Sequence, residues 1–519
     1  MKNCIGRELP DTIGTFDGNT PVRPFAGEFV LASSQTSRSR LRPPSGWVAR
    51  PGDEKLLARL EDVFKRIPIR DGMTVSFHHH LRNGDGVVNA VLAQAAKLGL
   101  RQLKVALVSV FPVHAPMAQH IASGVVGALE TNFITGPVAE AVSRGALKHP
   151  VILRTHGGRA RAIECGELHI DVAFIAASAA DTYGNITGRI GPNAFGSLGY
   201  AFPDAEQADW VVAVTDHVVG YPLAPISIPQ HRVDFVVRLP TIGDASGILS
   251  GTTRLTQDPL RLALAETAAK VIEAAGLLHD GFSYQTGAGG TSLAVTQFVK
   301  RMMAARGVVG SFALGGITAD IVAMLEQGLF RRVLDVQGFD LEAVRSIATN
   351  PNHIEIGSSF YANPFTKGCA VNKLDCVILG ATEVDTKFNV NVVTGSDGIL
   401  RGGSGGHSDA AAGAKLTIVV ATTRRGTLPI IIDDVVTVTT PGESIDVVVT
   451  EAGVAVNPRR ADLAGQLKRA GLMVKDITEL RDSARAGLNP LPCKTSDRIV
   501  AIMEYRDGTV IDVVRQVEP

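Results

Sequence analysis

The stretch from Asp375 to Asp409 reads DCVILGATEVDTKFNVNVVTGSDGILRGGSGGHSD. An apolar run, Cys376 to Leu379, has the length of a buried strand, and two acids, Glu383 and Asp385, stand just past its end. Four glycines, Gly402, Gly403, Gly405 and Gly406, then precede His407 and an alanine-rich run that reads as a helix start. Glycine lets a substrate approach the backbone closely, and free N–H groups there can hold an anion or a developing oxyanion. A plain turn before an ordinary helix has a similar outline. The density of the glycines and the acids beside them favour a site at the carboxyl edge of an α/β sheet.

Other residue clusters fit the same chemistry. Gly287, Gly289 and Gly290 precede a helix expected over Leu293 to Arg306, and glycines opening a helix make an anion or phosphate seat. Gly315 and Gly316 stand before a helix expected over Ala319 to Glu326. His78, His79 and His80 end a strand over Thr74 to Phe77 and are followed by Arg82. On a strand only His78 and His80 share a face. No third ligand is identifiable, so substrate contact or packing is preferred to a metal site, and none is expected. His78, His80, Arg82, Arg401 and His407 are the cationic or polar groups nearest these loops.

The elements that must position these residues follow a β-loop-α-β rhythm, the pattern of a parallel sheet. Leu56, Leu57, Leu60 and Phe64 have helical spacing, predicting a helix over Glu54 to Lys65. The chain of 519 residues is 45% hydrophobic, enough for a sizeable core. Lys+Arg and Asp+Glu are both 51, and aromatics are 5%, which gives no support for a nucleic-acid partner. The five cysteines are scattered without a C-x-x-C pair and read as free thiols. No apolar run approaches the roughly 20 residues of a membrane helix, and the expectation is a soluble cytoplasmic protein. No G-x-G-x-x-G follows the first strand, which counts against a nicotinamide-binding fold.

The chain echoes itself. Asp171, Asp181 and Asn185 recur as Asp375, Asp385 and Asn389, each displaced by the same interval. Fixed spacing argues for duplicated halves facing each other across a site. The first copy has Ala179 where the second has Glu383, and it lacks the clustered glycines. The expected organisation is an N-terminal arm over 1–50, including SSQTSRSRLRPPSG, then α/β domains over 51–260 and 261–519, with the chemistry in the second. Both domains are open α/β units with mainly parallel sheets.

The segments GFSYQTGAGGTSLAV, GSFALGGITADIVAMLEQGLF, ANPFTKGCAVNKLDCVILGATEVDTKFNVN and RGGSGGHSDAAAGAKL resemble the CoA-transferase superfamily and, within it, the citrate lyase alpha-subunit family. The resemblance spans essentially the whole chain. It implies a CoA-transferase-like fold and a transferase that exchanges acetate for citrate on an acyl-carrier thioester. It implies as partners a beta subunit that cleaves the citryl thioester and a gamma carrier subunit. The carrier would present phosphoribosyl-dephospho-CoA, with no cofactor bound covalently to this chain, and the chain would be a homo-oligomer within the complex. Many superfamily members carry a nucleophilic glutamate before a helix like Ala319 to Glu326; Phe312 to Thr318 contains no acid. That departure favours direct attack by a citrate carboxylate and a mixed anhydride. Gly402, Gly403, Gly405 and Gly406, with Gly315 and Gly316, would then serve the oxyanion, and Glu383 beside Asp385 would order the glycine loop, with a nucleophile as its second reading. A free-standing CoA-transferase or hydrolase acting on soluble CoA is the second reading.

Overall fold

The computed structural model describes residues 1–28, 52–249, 254–488 and 493–518. Two large sheets dominate it, and the same sequence of strands builds each. In the first, Thr74–Phe77 is central; Leu103–Leu107, Val126–Thr131 and Val151–Leu153 add to one side, Val172–Ala177, Trp210–Thr215 and Phe235–Arg238 to the other. In the second, Ser283–Thr286 is central, with Gly310–Ile317, Phe330–Gly338 and His353–Glu355 on one side and Cys376–Gly380, Leu416–Val420 and Val447–Thr450 on the other. All of these neighbours are parallel. Their residues are mostly Val, Ile, Leu and Ala and are buried, as expected of parallel strands covered on both faces. In each sheet the chain grows outward one way, returns to the centre and grows the other way. The reversal leaves a crevice beyond the carboxyl ends of the two central strands, where ligands bind in such sheets.

The duplication extends to individual hydrogen bonds. Asp181 Oδ1 accepts from the Tyr183 and Asn185 N–H groups and Oδ2 from Asn185 Nδ2. Asp385 repeats this with Lys387 and Asn389. Asp171 and Asp375 likewise accept from the first residue of each central strand, Thr74 and Ser283.

Four expectations differ from the structure. The Asp181 correspondence shows Asp385 to be a turn-holding residue; its carboxylate is committed to its own loop, outside the crevice. Leu56–Leu57 is not helical but an edge strand pairing with Val236–Val237, and the helix is Leu60–Arg66. Local spacing there yields to the gain from extending a sheet. The second domain as drawn, 261–519, loses its last strands to the first sheet: Thr495–Glu504 runs parallel to Val151–Leu153 and forms a hairpin with Val510–Val517. Within the arm drawn over 1–50, Thr12–Thr15 and Gly18–Pro21 form a hairpin, Asn3 Nδ2 donates to the Ile511 carbonyl, and Arg7 pairs with Asp512 at 2.6 Å. The arginine-rich SSQTSRSRLRPPSG lies outside the described residues. No helix among the described residues is long and apolar enough to cross a membrane, and the five cysteines are unpaired.

Candidate active site

A cleft of about 1460 Å³ runs between the two halves. The glycine loop forms one wall and also the seam. The Gly402 carbonyl accepts from the Ile134 N–H, Gly405 N–H donates to the Asn132 carbonyl, and the Gly405 carbonyl accepts from His156 N–H. A Cβ on Gly403 would stand 2.0 Å from the Asn132 carbonyl oxygen, and one on Gly406 2.4 Å from Tyr361 Oη. Only glycine allows these approaches. The N–H groups of Gly402, Gly403, Ser404 and Gly406 have no acceptor among the described residues. The loop thus joins the halves through some of its polar groups and leaves others free to bind.

Asp409, just past the loop, completes the seam. Its Oδ1 accepts from Thr155 Oγ1 at 2.9 Å and its Oδ2 from the Gly157 N–H at 2.9 Å, with Arg506 Nε 3.7 Å away. Burial pushes this carboxyl up to about 6 against the opposing pull of Arg506.

Glu383 lines the cleft, but both its oxygens are taken. Oε1 accepts from Ser396 Oγ at 2.6 Å; Oε2 accepts from Asn391 Nδ2 at 2.8 Å and from the Val436 N–H at 3.1 Å. His407 lies in the wall with Nδ1 against Thr440 Oγ1 and Nε2 against the Gly380 carbonyl, and burial holds it down to about 4. Arg401 sits at the exposed mouth, paired with Asp397 at 2.5 Å. Gly316 lines the cleft beside Phe339, whereas Gly315 stands at an irregularity in the strand with φ of +100° and is not part of the lining.

The opposite wall is the start of the Gly290–Arg306 helix. Gly287, Gly289 and Gly290 line it, and Gly287 N–H is already given to the Ile378 carbonyl. Ser292 Oγ, in the first turn, is buried without a partner. Arg261, Arg425, Arg485 and Lys494 line the same cleft.

The histidine cluster divides in an unexpected way. His78 and His80 do share a side, with ring centroids 5.6 Å apart, but that side packs on Phe195. Their Nε2 atoms meet the Ala176 and Ile242 carbonyls, so both belong to the core and not to substrate contact. His79 points the other way and lines the cleft. Beside it stand Arg82, His156 and Tyr200, the last two with ring centroids 4.4 Å apart. Gln285 and Gln337, at the ends of buried strands, face the same space: Gln285 Nε2 donates to Tyr361 Oη, and Gln337 Nε2 donates to the His79 carbonyl across the seam. His79, His156, Tyr200, Gln285 and Gln337 were not singled out by the sequence. For Gln285 and Gln337 the available signal was a polar residue at the carboxyl end of a strand; His156 opens a helix and Tyr200 lies in a turn, and neither carries such a signal.

A duplicated, doubly wound α/β chain with a ligand cleft between its halves defines a broad class. A chain of a Pseudomonas malonate decarboxylase hetero-tetramer has this fold, with a TM-score of 0.63 at 19% identity over 84% of this chain and 86% of that one. Within the class, the family model "Citrate lyase, alpha subunit (CitF)" matches residues 53–517, and the chain belongs to that family. It is 49% identical to the citrate lyase alpha chain of Escherichia coli K12 over 90% of this chain and 92% of that one. It is 45% identical to that of Klebsiella pneumoniae over 95% and 97%. The crystal structure of a Streptococcus mutans putative citrate lyase alpha subunit in complex with citrate superposes with a TM-score of 0.94 at 45% identity, covering all of both chains.

Proposed function

We propose that this chain is the citrate CoA-transferase component of a citrate lyase, working on an acetyl thioester delivered by a gamma carrier subunit and passing citryl thioester to a beta lyase subunit. Family membership supports the role. The mechanism is read from the cleft. The observation that carries it is Glu383: the buried carboxylate of the cleft is held by three donors and orders the loop from Asn391 to Ser396. Asp397 and Asp434, further carboxylates in the lining, are ion-paired with Arg401 and Lys387, and Glu518, also in the lining, is exposed to solvent. The acceptor must then bring its own nucleophile, a carboxylate already ionised at neutral pH, and no general base is needed.

In this reading the acceptor carboxylate attacks the acetyl thioester carbonyl. The carbon–sulfur bond breaks, leaving a mixed acetyl–citryl anhydride and a thiolate. The sulfur then adds to the citryl carbonyl and acetate departs, so atoms and charge balance without a cofactor bound to the chain. The protein contributes orientation of two reactants, the free N–H groups of Gly403, Ser404 and Gly406 for the tetrahedral oxyanions, and exclusion of water from the anhydride. A CoA-like arm on the carrier, phosphoribosyl-dephospho-CoA, supplies the thiol. The Gly287–Gly290 turn, where the Ser292 hydroxyl lacks a partner and a 17-residue helix begins, would hold its phosphates. The assay is direct: the purified chain with acetyl-CoA and citrate yields citryl-CoA and acetate by mass spectrometry. Acetate and CoA without citryl-CoA would instead mark a hydrolase.

A further inference from the structure

Arg82 is an unusual cation. Its backbone takes a φ of 55°, in the left-handed region, and the residue is buried, with an exposure of only 8%. The guanidinium carbon lies 4.6 Å from the Phe339 ring centroid and 5.6 Å from that of Phe111. The guanidinium forms no ion pair or hydrogen bond with any described residue, and Nη1 is buried without a partner. A buried charge left unpaired costs several kcal/mol by order of magnitude; a residue built this way is completed by an anion that comes and goes. Two more buried nitrogens without partners line the same cleft, His79 Nε2 and His156 Nδ1. His79 Nδ1 is fixed on Ser109 Oγ at 2.7 Å, and the two imidazole centroids are 5.9 Å apart.

We infer that Arg82, His79 and His156 form the seat for the carboxylates of the acceptor that do not react, so that the site selects a polycarboxylate over a monocarboxylate. This rests on the proposed transferase reading and adds to it the side chains that recognise the acceptor. Arg82 offers a planar fork to one carboxylate, and the imidazoles offer a donor each to a second.

The site also carries a proton signature. Burial holds His156 down to about 3 and His79 well below its ordinary value, with His156, Arg82, His78 and His80 adding to the effect on His79, and Arg159 to that on His156. Tyr200 also faces both rings, and Asp409 accepts from groups next to His156. Both imidazoles are therefore neutral in the empty cleft at pH 7. Carboxylates arriving beside them favour the protonated form, so acceptor binding takes up a proton.

Calorimetry of citrate binding to the whole chain, in two buffers of different ionisation enthalpy, tests this. Asparagine tolerates positive φ, so Arg82→Asn removes the cation with its backbone intact; His79→Gln keeps a neutral polar group. The expected results are proton uptake by the parent chain, loss of most of that uptake in His79→Gln, and about 30-fold weaker citrate binding in Arg82→Asn. KM for acetyl-CoA should stay within about twofold, as donor and acceptor sites are distinct. Citrate affinity unchanged in both variants would overturn the inference, as would a larger loss for acetyl-CoA than for citrate. Citrate binding that weakens in both variants, without any citryl-CoA formed by the parent chain, would leave the seat standing and remove the transferase reading.

Discussion

Glu383 and Asp385 look alike in sequence and differ in the molecule. Asp385 has a twin, Asp181, in a copy that lacks the glycine loop, and the two make the same turn contacts. Repetition in a half without the catalytic loop was the sign that Asp385 serves the fold. Glu383 has no twin, and its three donors tie together residues of the cleft wall. Replacing it by glutamine keeps one acceptor oxygen and the size of the side chain, so kcat should fall about tenfold as the loop loosens. A loss on the order of 10⁴-fold or more would mark it as the nucleophile. Asp409 gives a second test. Its carboxyl holds a proton more tightly folded than unfolded, so its contribution to stability is complete below pH 4 and is lost as pH rises through about 6. Denaturant titrations from pH 4 to 7 should show a flatter decline for Asp409→Asn than for the parent chain.

The elements that carry the site were legible to different degrees. Alternation along the strand end correctly put His78 and His80 on one side, but pattern alone does not say which side faces the core. Phe195, distant in sequence, decides that, and the cleft receives His79. His156, Tyr200 and Gln285 come from separate segments and meet only through packing. The glycine loop was legible because glycine density has a steric cause, and its second duty as a seam was not, since Asn132 and Ile134 lie far away in sequence. Gly403→Ala should therefore act as a seam mutation. With its Cβ against the Asn132 carbonyl, it should cost about 2 to 3 kcal/mol, read as a lower midpoint in urea, together with a loss of activity.

The molecule as a whole is a duplication, and the chain end departs from it. Both halves share the seven-strand order, which the constant interval between Asp171, Asp181, Asn185 and their counterparts already implied. The chain end breaks the pattern by returning to the first sheet, where Thr495–Glu504 and Val510–Val517 cover the edge at Val151–Leu153. The swap was invisible to a linear reading, because long-range strand pairing leaves no local signature. It makes the C-terminus a clasp between halves. Removing residues 494–519 exposes the strand Val151–Leu153 and takes away the partner of Arg7, so the shortened chain should be largely insoluble; a soluble, cooperatively unfolding product would show that the clasp is dispensable.

The proposed mechanism depends most on the acceptor carboxylate attacking the thioester itself. A single turnover with citrate carrying oxygen-18 in its carboxylates, in ordinary water, tests this directly. Direct attack leaves one acceptor oxygen in the acetate released in that first turnover. Unlabelled acetate would contradict the account, because its new oxygen would have come from an enzyme carboxylate or from water.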